Sequence, residues 1–587
     1  MADDLRYLMN QVALPGMTEL QKSVADLTAV VKSLGTPSDL YYNVARFGAI
    51  PDAKPAQGVY QGFLMTAGSN HLDSFNAGFT ADDVGKSVVL VNNGGAWPPF
   101  AGPGLANVAT ITGFIDGNDI LLSRAATVDC SGWMIWGTDN VPAFNAAVNA
   151  VASSATHAGA ITGPPGQYLL ASAPYSNSDG TACDDGTPGS GLPGPVQCWS
   201  GTGFNTPCTN LPPWLPTSIP IQVQIIPGVS WFFPPGVSIL GCWDGVTVDP
   251  VVQGQPQVQP VMFGGTKPTV AGVEGGLAEC NLDGLSLSNG FIGLWNPYNT
   301  NMAEIRNCKF NTAIGMLTWG MDLGASVKNL QFGGYAAWVN GGQWAHRCDY
   351  PLGEGGECDI LGIDTLIVEP AGYNATAAAI DQWFDQVFWH SDFTADSPDF
   401  WEPQVSPLPP QQRQTGQPNG GIFPQAANGM PYAGICGSAL VIISRDSRNT
   451  GPTRISNVIL KYGYRPIIYG LPGAGSEIFN VSCEGGTALA NDPYNSGVQK
   501  GAIVFASAGG ADFRNVSWSG SQVRQTLYDL SGARAGLAMI PGQPQGVTWR
   551  NCTSSNQVNP QATSSGISTN AGSTTPLTQA IMGEVTK

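Results

Sequence analysis

Between residues 340 and 435 the sequence gathers side chains of the kinds that handle sugars. The carboxylates Glu369, Asp381 and Asp385 stand beside Trp383, Trp389, Trp401 and His390. Aromatic rings give flat apolar surface with a polar edge, which suits the apolar face of a pyranose, while carboxylates bind hydroxyls or move protons. Glycosidic hydrolysis needs two carboxyls, about 5 Å apart for retention or about 6.5–9.5 Å for inversion, one protonated and one ionised. Asp381 and Asp385 are four apart, so on a helix they would share a face. We take Asp381, Asp385 and Glu369 as candidate acid, base or nucleophile, and Trp383, Trp389, Trp401 and His390 as candidate glycan contacts. The same composition also fits a solvated acidic loop whose rings pack on the body. Lyase chemistry would need a base beside an acid-neutralising ion, and here His390 and Arg347 qualify only by type. Near them His346, Cys348, Asp349, Glu354, Glu357, Cys358 and Asp359 lack CxxC or HxxxH spacing, so neither a metal nor a cofactor is assigned.

The element that must position these groups is a repeat on both sides of them. Asn-x-x-apolar recurs as Asn307-Cys308-Lys309-Phe310, Asn329-Leu330-Gln331-Phe332, Asn457-Val458-Ile459-Leu460, Asn480-Val481-Ser482-Cys483 and Asn515-Val516-Ser517-Trp518, with a last partial copy at Asn551-Cys552-Thr553. Asn307 to Asn329 is 22 residues and Asn457 to Asn480 is 23. A period of that length cannot bury its own apolar face, so neighbouring coils must stack. Apolar residues alternate with small polar ones and no helical period survives, which predicts strand-turn-strand repeats in a parallel β-helix. An Asn at a fixed place in every coil tolerates the left-handed conformation and can bond the backbone at a tight corner. Phe310, Phe332, Val481 and Val516 are expected to point inward, as are the thiols of Cys308, Cys483 and Cys552.

Composition narrows the function. Charged residues are only 11% of the 587, against about 25% in typical domains, and Gly (76) and Pro (45) are plentiful. The net charge of −18 leaves no basic stripe, which argues against nucleic acid or an anionic membrane as partner and disfavours polyanionic substrates. The first residues show no charged n-region followed by an apolar stretch, and no apolar run of about 18 residues occurs, so neither an ordinary secretion signal nor a membrane span is expected.

Met17, Leu20, Val24, Leu27, Val31 and Leu34 follow a 3-4-3-4-3 spacing between Pro15-Gly16 and Gly35-Thr36-Pro37, which predicts a short heptad helix for self-association. Tyr41–Ala49 reads as a strand entering a turn. Thr138 to Val148 opens a helix with Val141, Phe144, Val148 and Val151 on one face, followed by the strand around Gly166-Gln167-Tyr168. A strand, an amphipathic helix and a second strand would cap the open first coil. Alternating runs at 87–91, 109–111 and 120–122 predict a small antiparallel β-unit inserted over about 76–137. Further loop insertions fall at 174–235 and 340–435, and an extended Ser/Thr/Asn-rich tail follows at 556–587.

Phe47-Gly48-Ala49, Thr138-Asp139, Ala143-Phe144-Asn145-x-Ala147 and Pro165-Gly166-x-Tyr168 resemble the opening of the pectate-lyase-like right-handed β-helix superfamily, and within it the phage tailspike and tail-fibre branch. The chain departs from that pattern where the β-unit separates Gly-Ala from Thr-Asp. The resemblance implies an all-β right-handed parallel β-helix with a short N-terminal coiled-coil helix, in a homotrimer. It further implies attachment to a phage tail or baseplate protein through residues 1–40, and host surface polysaccharide as partner. A virion location after synthesis in the host cytoplasm goes with it. A non-catalytic receptor-binding fibre and a free polysaccharide lyase or hydrolase are the alternatives.

Overall fold

A computed structural model of the chain describes residues 41–54, 61–75, 77–92, 96–101, 105–154, 158–176, 220–245, 260–265, 279–296, 300–318, 325–341 and 362–371, with shorter pieces as far as Thr569. The heptad segment 17–34 lies outside them.

The body is a parallel β-helix. Each coil lays a bent strand into a first sheet, turns a corner, adds a strand to a second sheet and returns. The first sheet runs from Tyr41–Asn43 through Gly159–Thr162, Val229–Phe232, Asn281–Asp283, Glu304–Arg306, Ser326–Gly334, Gly362–Pro370, Arg454–Gly463 and Ser476–Gly485 to Ala511–Ser519 and Thr548–Arg550. The second keeps Ile221, Val261, Ile292, Ile314 and Ala336 in register along parallel strands. Its last strand, Ile567–Thr569, comes from the Ser/Thr-rich tail and pairs with Gln525–Asp529.

In the coils from Asn281 to Gly485 the bend of the first sheet has a single cause. One residue adopts a left-handed backbone, with φ of +80° at Gly284, +59° at Thr365 and +55° at Asn307, Asn329, Asn457 and Asn480. Strict alternation would turn Asn307 inward. The left-handed residue instead absorbs one position, so Ile305 before it and Cys308 and Phe310 after it all face the core. Asn bears this conformation more easily than most residues, and Gly most easily of all. The Asn side chains were expected to bond backbone; they bond each other. Asn329 Nδ2 donates to Asn307 Oδ1 at 2.7 Å, and Asn307 Nδ2 to Asp283 Oδ1 at 2.8 Å. Asn480 donates likewise to Asn457 (3.2 Å), and Asn457 to Asp364 (2.6 Å). Each run ends on a carboxylate, which accepts without needing to donate.

Inside the bend, Leu282, Ile305, Val327, Ile363 and Ile455 form one stack, and Leu287, Phe310, Phe332, Val368 and Leu460 another. Phe310 and Phe332 stack with centroids 5.1 Å apart. Val481 is buried as expected; the side chains of Val516, Cys483 and Cys552 lie outside the described residues. Cys308 and Cys280 are buried thiols, pushed up to about 12 by burial, which makes them core fillers.

Helix α1, Val141–Ala152, closes the first coil. Val141, Phe144, Val148 and Val151 are buried, and Phe144 packs 5.5 Å from Tyr168 and 6.1 Å from Trp231. Asn145 donates to the Gln222 carbonyl and accepts from the Gln224 amide, so a helix side chain satisfies backbone of the second sheet. The inserted unit is a closed six-stranded barrel of Gln61–Met65, His71–Ser74, Ser87–Asn92, Val108–Phe114, Asp119–Leu122 and Cys130–Gly137, with its own core around Phe63, Leu72 and Trp136. It docks on the body through Val89, Val91 and Ile135 against Leu169, Ala171 and Cys242. At this joint Lys86 Nζ lies 2.9 Å from both Asp52 and Asp83.

Two outcomes follow. Phe332→Ala should lower stability by about 3–5 kcal/mol, read by reversible denaturation; a loss under about 1 kcal/mol would contradict the stacking. At the joint, burial raises both carboxyls, but hydrogen bonds from Lys86, aided by Thr138 at Asp52 and Thr80 at Asp83, outweigh it and hold both below their ordinary 3.8. A lowered carboxyl stabilises fully above its unfolded value and loses that contribution as pH falls through the lowered one. The barrel should therefore loosen below about pH 4, and Lys86→Met should move that acid transition, read by tryptophan fluorescence, to higher pH. An unmoved midpoint would show that the ion pairs do not hold the joint.

Candidate functional site

Because the core takes every inward position, the outer face of the first sheet is set by what lies between them. The residue just before these left-handed corners lies on the outer side: Asp283, Arg306, Lys328 and Asp364 are neighbours in register and at least partly open to solvent, while Ser456, next in the row, is buried. A second outward row, beyond the corner, runs Ser288, Asn311, Gly333, Glu369 and Lys461. In a chain with few charges, this face collects many of them.

The charges come largely as partners on successive coils. Arg306 Nε lies 2.9 Å from Asp283 and its Nη1 3.1 Å from Glu304, which holds the guanidinium above its usual range. Arg454 lies 3.9 Å from Glu477, with its guanidinium over the Phe479 ring at 4.9 Å. At Asp364 burial pushes the carboxyl up, but hydrogen bonds from Ser456 and Asn457, together with the Lys328 charge, overcome it and leave the carboxyl below the ordinary value. Such a group supplies fixed negative charge and hydrogen-bond acceptance, not a proton.

Glu369, a candidate from sequence, is exposed on this face at the end of its strand, and Lys461 Nζ of the next coil donates to its Oε1 at 2.7 Å. That pairing suits a carboxylate acting as base, nucleophile or sugar-hydroxyl acceptor. Immediately beyond it the chain leaves the strand at Pro370. The Ala371 amide bonds the Gly334 carbonyl of the preceding coil, and the second sheet resumes only at Ser438–Ile443. Elsewhere the same corner is turned at once, as between Gly334 and Ala336. Thr376, Ala377 and Ile380 are helical, and Ala377 and Ile380 are fully buried, so the chain is anchored on apolar contacts one residue before Asp381. Asp381, Trp383, Asp385, Trp389, His390 and Trp401 lie outside the described residues, as do His346, Arg347 and the acids and thiols of 348–359. Among the described residues no group of three His, Cys, Asp or Glu is placed to hold a metal, and no helix is long and apolar enough to cross a membrane.

The outward row Asp283, Arg306, Lys328, Asp364 escaped sequence reasoning. For Arg306 and Lys328 the signal was there, since each stands directly before a repeated Asn, whereas Asp283 and Asp364 precede Gly284 and Thr365, which do not show the repeat.

No family model matches this sequence, and no curated protein does. Among solved structures the chain is similar to the A-module of a mannuronan C-5 epimerase from Azotobacter vinelandii, at 8% identity over 71% of this chain and 90% of that one, with a TM-score of 0.29. It is similar to the catalytic unit of a thermostable GH87 alpha-1,3-glucanase from Streptomyces thermodiastaticus, at 11% identity over 85% of each chain and a TM-score of 0.24. A third is a tailspike protein from Pseudomonas phage LKA1, at 9% identity over 84% of this chain and 65% of that one, with a TM-score of 0.14.

Proposed function

We propose that this chain is a virion tailspike-like protein that binds host cell-surface polysaccharide during phage adsorption and depolymerises it at the segment beginning after Pro370. The observation that carries this reading is the juxtaposition at that point. A rigid outer face of paired charges is interrupted beside Glu369 and Lys461 by a long segment bearing Asp381, Asp385, Trp383, Trp389 and Trp401. A solenoid commonly places its insertions on the binding side, where they build a wall beside a rigid floor. On this reading the tryptophans carry the sugar rings, His390 adds a contact, Asp381 and Asp385 act as acid and base or nucleophile, and Glu369 with Lys461 holds hydroxyls at the edge. The protein works as a homotrimer, joined through the heptad helix within residues 1–40 to a tail or baseplate protein.

A second reading is supported by a specific observation. The carboxylates seen on the described face are engaged by cations, amides or a hydroxyl: Asp283 by Arg306, Asp364 by the Ser456 hydroxyl and the Asn457 amide, Glu369 by Lys461. That pattern serves adhesion as well as chemistry, so a non-catalytic receptor-binding fibre remains the competing function.

Asp381→Asn and Asp385→Asn should each reduce the release of new chain ends from host envelope polysaccharide by about 10²–10⁴-fold while binding survives. Absence of new ends with the unaltered chain, coupled with binding that weakens on Trp383→Ala, would establish the adhesive reading. If neither class of change alters cleavage or binding, the site lies elsewhere and the proposal fails.

A further inference from the structure

The inserted barrel carries an aromatic feature that neither its core nor its docking to the body uses. Along Gln61–Met65, Phe63 and Met65 point into the barrel, so Gly62 and Leu64 belong to its outer surface. Gly62 is paired across the sheet with Trp133 on one side, and on the other its carbonyl accepts the Phe75 amide at 3.3 Å. The outer row therefore reads Phe75, Gly62, Trp133, and both rings are open to solvent, Phe75 at 63% and Trp133 at 39%. With strands about 4.8 Å apart, the Cα atoms of the two aromatics stand roughly 10 Å apart on either side of Gly62, and the Phe75 ring borders the space that a side chain at Gly62 would take. The next row places Leu64, 43% exposed, between Asp73 and Ser131. Two large rings flanking a glycine, with a carboxylate and a hydroxyl one row away, combine stacking surface with hydrogen-bonding edges.

We propose that this outer face is a second glycan-binding platform, in which a sugar ring lies over Gly62 between Trp133 and Phe75 while Asp73 and Ser131 bond its hydroxyls. Charge selects the ligand class. Asp73 faces Asp119 across the neighbouring strand pair, and the chain carries a net charge of −18. Both disfavour an anionic sugar, and the second disfavours an apposed copy of this chain, so a neutral saccharide is the occupant. The glycine is what leaves the space. A Cβ at Gly62 would meet nothing nearer than Phe75 Cδ2 at 3.7 Å, so the fold accepts a methyl there even though the methyl fills the floor of the platform. The inference takes its class of ligand from the proposed function and differs from it in place.

The test uses the full chain on an array of bacterial surface polysaccharides, neutral and acidic, with oligomeric state followed by light scattering. A chain carrying Trp383→Ala and Trp389→Ala should retain binding to neutral polysaccharide. Adding Gly62→Ala, or Trp133→Ala with Phe75→Ala, should weaken that residual binding by about tenfold or more, equivalent to about 1.4 kcal/mol, without altering assembly. Retained binding that these barrel changes leave intact would overturn the platform. Complete loss of binding on changing Trp383 and Trp389 would also overturn it while leaving the insertion site standing. No binding by the unaltered chain would remove both ideas, and a change of oligomeric state with the barrel variants would identify the face as a contact between copies.

Discussion

The left-handed corner residue is the constraint on which the rest of the molecule depends. A stacked coil must bend without turning its apolar residues outward, and a single position with φ near +55° does both. From that one conformational choice follow the inward stacks of Ile305 and Phe310 with their neighbours and the outward placement of the residue before each corner. The amide ladder between Asn side chains follows as well, because identical residues at identical corners lie one strand spacing apart. Asp283 and Asp364 close the two ladder runs, and they also stand on the charged outer face. Structural and candidate binding roles thus share the same two carboxylates.

Much of this architecture is legible in the sequence, for a physical reason: a repeated corner needs a repeated residue type. The recurring Asn marks the coils even where the apolar residues vary from Phe to Val to Cys. The helix cap is equally readable, since one apolar face over Val141, Phe144, Val148 and Val151 has few other uses. Other features carry weak local signals. The barrel strands Gln61–Met65 and His71–Ser74 are short, with a Gly in one and a His and an Asp in the other, so alternation does not single them out. Thr365 replaces Asn at its corner, which hides that coil from the repeat. The strand Ile567–Thr569 sits among residues whose composition points to no element at all, and only pairing with Leu527 and its neighbours identifies it.

The candidate site divides along the same line. Aromatic and acidic residues at 381–401 announce sugar chemistry by type, but their mutual geometry is not encoded in any repeat. Glu369 is different. Its register is fixed by strand pairing, and that register brings it to Lys461 of the next coil, a partner 92 positions away that no local pattern reveals. Charged residues on such a solenoid become a surface only when coils stack, so the paired face is a property of the fold rather than of any stretch of sequence.

On the proposed function, polysaccharide engages the outer face of the first sheet beside the segment after Pro370. Hydrogen exchange followed by mass spectrometry, with and without host envelope polysaccharide, measures this without any substitution. Exchange should slow in the peptides covering 362–371 and 454–463 when polysaccharide is added, while the strands around Val223 and Ile225, remote in sequence and already held by the helix cap, stay unchanged. Polysaccharide that binds the protein yet leaves 362–371 and 454–463 exchanging as before would contradict it.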